Sequence, residues 1–156
     1  MSLTPQAVPG MRARLHMPEE ILSLPVSGTS VLSDGEVAVQ TTDGKTVTTV
    51  TNAANTKFGV VVFQHIGKSG KNSKGLEAYQ KHDCAPIMQI GSAWVKPTAP
   101  VTDINAKVYV KTSNGTADAP LGSLSSVALD STLFPNATWE TITGPDGLAI
   151  LRLRGA

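Results

Sequence analysis

The chain has 156 residues and a mass of 16.3 kDa, enough for one domain with a real core. Only 16% of its residues are charged against 40% hydrophobic, mean hydropathy is near zero, and the net charge is +1 with a pI near 7.9. That balance gives no long-range pull toward nucleic acid or an anionic membrane. No apolar run nears the roughly 18 residues of a membrane span, and the lone Cys84 rules out an internal disulfide framework or a multi-cysteine zinc site.

The opening MSLTPQAVPGMRARLH holds no continuous apolar stretch of the signal-peptide kind, so a soluble chain made in the cytosol is expected. Residues 1–20 read as an extended arm. Pro5, Pro9, Gly10 and Pro18 interrupt any regular element, and the apolar Met11, Leu15 and Met17 follow no period. Such an arm either drapes over its own domain or reaches a neighbour. Residues 21–25 read as a first strand, closed by Pro25 and Gly28.

From Glu36 the pattern is clearer. Glu36-Val37-Ala38-Val39-Gln40 alternates polar and apolar residues, as a half-buried strand does. Asp43-Gly44 is a hairpin turn signal, and residues 46–51 are β-branched throughout. The Val-rich run at 58–63 is short and wholly apolar, which predicts a strand buried on both faces.

Residues 66–81 read as a flexible basic loop, with Gly67, Gly70 and Gly75 among Lys68, Lys71, Lys74 and Lys81. Strand character returns at 86–95 and ends at Pro97. Residues 107–112 alternate cleanly before the Asn114-Gly115 turn, and 119–136 read as a loop. Residues 137–142 and 148–153 form a final pair joined through Gly144-Pro145-Asp146-Gly147. Two short helix-like stretches are conceivable, at 76–81 and 123–129. About seven or eight short strands separated by turns predict an all-β single domain over 21–156, a β-sandwich or a small β-barrel.

Sites of chemistry fail on spacing or geometry. Gly67-Lys68-Ser69 resembles the end of a phosphate loop, but that loop needs a glycine where Val62 stands and a helix where Gly70 and Gly75 stand. His82, Asp83 and Cys84 are adjacent, and neighbours on a strand point to opposite faces, so a buried or semi-buried structural cysteine is expected instead of a triad. His16, His65 and His82 lack metal-ligand spacing. No catalytic residue, metal or cofactor is expected. Tyr79 is the only aromatic near the lysines, which argues against nucleic-acid binding. Trp94 and Trp139 are expected in the core.

Five segments carry a resemblance: AVPGMRARL, FGVVVF, IMQIGSAWV, INAKVYVKTSNGT and ATWETITGPDGLAILRLRG, in that order. The chain resembles the small structural cement (capsid decoration) proteins of tailed phages over most of its length, most clearly from Pro86 to Gly155. The resemblance implies an all-β domain on the outer surface of an HK97-like capsid. It would bridge major capsid proteins, usually as a symmetric oligomer (a dimer or trimer), with no catalytic residues, membrane, nucleic acid or small-molecule substrate. Its place would be the virion, after synthesis in the bacterial cytoplasm.

Within that frame the expected contact residues are Pro9, Met11, Arg12, Arg14 and Leu15 on the arm, and Lys68, Lys71, Lys74 and Tyr79 on the loop. Exposed apolar groups such as Met11 are unfavourable on a monomer and useful beneath a partner. Alternatives are another virion or tail-associated β module, a carbohydrate-binding β-sandwich, or a small β-barrel enzyme. Aromatics at 4% leave few rings for a sugar site, and no acid–base pair or metal set supports an enzyme.

Overall fold

The computed structural model describes residues 7–14, 18–51 and 57–154. Its first six strands are β1 (Glu20–Pro25), β2 (Val37–Gln40), β3 (Val47–Thr49), β4 (Phe58–Val61), β5 (Gly70–Lys71) and β6 (Glu77–Ala78). The rest are β7 (Cys84–Val95), β8 (Tyr109–Lys111), β9 (Leu124–Ser125), β10 (Ser131–Leu133), β11 (Ala137–Trp139) and β12 (Ala149–Arg154). Strands β11-β12-β7-β4-β2-β3, with β1 also on β7, make a seven-stranded sheet. A three-stranded sheet β10-β8-β9 faces it, and β5-β6 is a separate hairpin. The named strands pair antiparallel throughout.

Strand β7 organises the molecule. Ile90 holds Glu20 on one side and Arg154 on the other, so β1 and β12 take opposite edges. Met88 likewise holds Ile21 and Val60, which puts β4 on the same edge as β12. The two strands β4 and β12 therefore share one edge of β7 and part near Gln89. There β7 bulges: its pairing with β1 jumps from Ile90 to Met88, and Gly91 follows at φ +135°, a backbone angle natural only to glycine.

The apolar alternation sorts into two cores on the two faces of this sheet. Val37, Val39, Val60, Met88, Val95 and Leu151 pack against Val108, Val110, Leu124 and Phe134 of the second sheet and its flanks. Their immediate neighbours Ala38, Val61 and Ile87 point the other way, into a smaller core with Val26, Leu32, Val47 and Tyr79. The Val run at 58–62 is thus buried on both faces, as its composition predicts. Trp139 sits in the larger core, whereas Trp94 is half-buried.

The sequence-based expectation is met in class and corrected in detail. The two facing sheets make a sandwich, and no barrel closes among the described residues. Twelve strands are present among those residues instead of seven or eight, because several have only two or three residues. The segment 119–136 contains β9 and β10. Neither helix-like stretch is helical. Residues 76–81 are pulled into β6 by the reciprocal Leu32–Tyr79 backbone hydrogen bonds, 2.9 Å each. Residues 123–129 begin as β9, with Leu124 opposite Val110. Cys84 is exposed, not buried, because it opens β7 on the outward face while Ala85 turns inward.

Candidate functional site

The described part of the arm is bound to the body. Gly10 N–H donates to the Trp94 carbonyl at 2.7 Å, Trp94 N–H to Met11 at 2.8 Å, and Ala13 N–H to Ser92 at 2.9 Å. Ala93 thereby has Arg12 on one side and Leu151 on the other, so the arm extends the edge of β7 already used by β1. Gly10 makes this possible. At φ +84° it lies so close to the body that a Cβ would be 2.7 Å from both Gly35 N and Val61 O. Phe63 N–H closes the junction by donating to Gly10 O at 2.9 Å.

With the main chain fixed, the arm side chains point outward. Met11 is 36% exposed, and the side chains of Arg12 and Arg14 are 45% and 51% exposed. Each arginine is oriented by a better-buried carboxylate: Arg12 by Glu19 at 2.8 Å and Arg14 by Glu140 at 2.6 Å. Arg152 approaches the other Glu140 oxygen at 3.5 Å. Pro9 is half-buried against Gly35. Leu15 lies outside the described residues.

The basic loop is a hairpin with a built root. Asp83 accepts from Ser69 N–H, Ser69 hydroxyl and Gln80 N–H, at 2.8 to 3.0 Å. These donors hold its carboxyl below the usual carboxylate range, the Gln80 N–H most strongly. At the tip, Asn72 Oδ1 accepts from the N–H groups of Lys74 and Leu76. This side-chain-to-backbone closure is what gives the turn its shape.

The hairpin residues named from sequence separate into two groups. Lys71 and Lys74 are exposed. Lys68 instead turns inward: its side chain is 6% exposed and its ammonium is 2.6 Å from Asp34 Oδ2. It also lies 5.0 Å from the Phe63 ring centre and 5.7 Å from that of Tyr79. Burial pushes the Asp34 carboxyl up although Lys68 opposes it. Tyr79 is fully buried, and desolvation raises its hydroxyl to about 12. Tyr79 and Lys68 are therefore corrected from surface contacts to internal supports. A tyrosine near four lysines looks like a surface group in sequence, but the smaller core needs its ring to cover Val61 and Ile87.

The two elements also meet. Gly10 bonds Phe63, and the Phe63 ring faces Lys68, so the start of the arm adjoins the hairpin root. Sequence reasoning missed Ile66 and Leu76, which are 79% and 62% exposed beside the hairpin. Their signal was two large aliphatics inside an otherwise Gly- and Lys-rich segment. No group of three His, Cys, Asp or Glu side chains able to hold a metal occurs among the described residues.

Comparison with known proteins follows the same line. A family model described as "Structural cement protein (E217 gp24/Pam3 gp6)" matches residues 1–154. A solved chain from "The capsid of Myoviridae Phage XM1" is 15% identical with a TM-score of 0.69, covering 99% of this chain and 94% of that one. At that identity the likeness shows a shared fold. A search of curated proteins gave no match. The family match spans nearly the whole chain, and this chain belongs to the structural cement proteins, the capsid-stabilising proteins of the phage virion.

Proposed function

We propose that the chain binds the outer surface of an assembled capsid and bridges neighbouring major capsid proteins, with the arm and the hairpin as its contact elements. The observation that carries this reading is the pinned arm. Its main chain is bonded to β7, while Met11, Arg12 and Arg14 are displayed outward in fixed directions. Ordering these side chains before binding lowers the entropy lost on docking. Exposed Lys71, Lys74, Ile66 and Leu76 extend the same mixed apolar and basic character across the hairpin. Val127, Leu129 and Leu133 are 54%, 72% and 47% exposed around the edge strand β10, which favours a symmetric dimer or trimer.

The test is co-sedimentation with purified capsids lacking the protein. Wild type should bind saturably, and Met11→Asp should bind about tenfold more weakly, roughly 1.4 kcal/mol, with its melting temperature unchanged. Wild-type affinity in Met11→Asp would remove the arm from the contact. A deletion of residues 2–17 is less informative, because it uncovers the edge of β7 at Ser92–Trp94 bonding positions.

A further inference from the structure

A cleft of about 300 Å³ opens where β4 and β12 part from their shared edge of β7. We infer that it receives an extended segment of a shell protein that carries an aliphatic side chain beside a carboxylate, an inference that rests on the capsid-binding reading.

The floor and one wall are apolar, and Phe58, Phe134 and Leu153 among them belong to the larger core. Phe58 meets Phe134 edge-on with ring centres 5.3 Å apart, while half-buried Ile90 of β7 lines the cleft from the other face of the sheet, the face it shares with Arg154. The cleft is thus the open end of the sandwich, where an incoming aliphatic group would continue the core packing. Its size is at the small end for ligand sites, suited to a few residues of extended chain and not to a helix.

Charge sets the rest of the occupant's chemistry. Glu20 and Arg154 both pair with Ile90, from opposite edges, and side chains in register share a face. Lys57 joins them on the rim. Lys57 and Arg154 are exposed, and none of the three is in an ion pair among the described residues. Two cations on one lip suit a carboxylate, and Glu20 on the other suits a backbone N–H. Elsewhere the arginines Arg12, Arg14 and Arg152 are matched to glutamates. Arg154 is the arginine without a carboxylate partner among the described residues.

The experiment uses full-length protein and capsids lacking it. Lys57→Glu/Arg154→Glu should lower affinity at least tenfold at low salt, with less loss at high salt, and should melt like wild type. A photo-crosslinking residue in place of Lys57 should join to the shell protein at a segment with adjoining aliphatic and acidic residues. Wild-type affinity in the double variant overturns the inference, as do crosslinks only to a second copy of this chain. Wild type that fails to sediment at all overturns the capsid-binding reading itself, a result visible before any variant is made.

Discussion

Lys68 and Asp34 face each other at 2.6 Å beneath the hairpin, with side chains 6% and 16% exposed. Taking both charges out of water is unfavourable, and their attraction offsets it only while both remain. The elevated Asp34 carboxyl shows that compensation is incomplete even so, and Asp34 Oδ1 is buried without a hydrogen-bond partner among the described residues. Removing the ammonium in Lys68→Met should cost about 3 kcal/mol at pH 7, the lower figure for breaking a buried pair. The sign of its pH dependence follows from the raised carboxyl. Such a group favours the folded state below the ordinary carboxylate range, and that benefit is lost as pH rises through its folded value. Protonating Asp34 thus relieves the variant, so its deficit should shrink between pH 7 and pH 4.5. Replacing both residues, in Lys68→Met/Asp34→Leu, should cost less than the two single changes together. Denaturant midpoints at both pH values, for all four proteins, check this. A deficit that grows in acid would mean that Asp34 is not the group left uncompensated.

At the scale of elements, the hairpin β5-β6 depends on side chains more than on its own ladder, which joins two residues to two. Asp83 ties its base through Ser69 and Gln80, and its lowered carboxyl reverses the sign worked out for Asp34. Its contribution is present above the ordinary value of 3.8 and is lost as pH falls through the lower folded value. In Asp83→Asn the amide hydrogens of Ser69 and Gln80 should exchange faster at neutral pH. Their protection, corrected for intrinsic rates, should then fall no further in acid, whereas in wild type it should fall below about pH 4. Equal protection in both proteins at neutral pH would show that Asp83 does not hold the base. The hairpin also shows why some elements were legible in sequence and others were not. The Val run of β4 announced its burial because each face of a central strand imposes the same requirement on alternate residues. A two-residue strand has no period to read, so β5, β6 and β9 look like loop or helix in the sequence alone. The inward turn of Lys68 depends on Asp34 and that of Tyr79 on its main-chain pairing with Leu32, both far along the chain. The cleft draws on Glu20, Lys57, Ile90, Phe134 and Arg154, whose convergence only the fork at β7 creates.

The molecule as a whole is one sheet with a core on each face, and the two cores have different work. The larger one, closed by the second sheet, sets global stability. The smaller one, closed largely by Leu32 and Tyr79, positions the hairpin and, through Phe63, the start of the arm. Val60 and Val61 are adjacent, fully buried and on opposite faces, so they separate these roles with the same chemical change. Each truncation to Ala removes two methylene equivalents of buried surface, about 1.6 kcal/mol before any cavity contribution. Val60→Ala should lower the melting temperature and reduce amide protection broadly, on both sheets. Its affinity for capsids, measured well below melting, should match wild type, because the contact elements keep their places. Val61→Ala should instead reduce protection most at the Leu32 and Tyr79 amides and weaken capsid binding as well, because Lys71, Lys74 and the arm junction lose a rigid base. Hydrogen exchange and co-sedimentation on the two variants measure both halves. If they lose capsid affinity equally, then binding follows overall stability, and the smaller core has no separate part in presenting the contact surface.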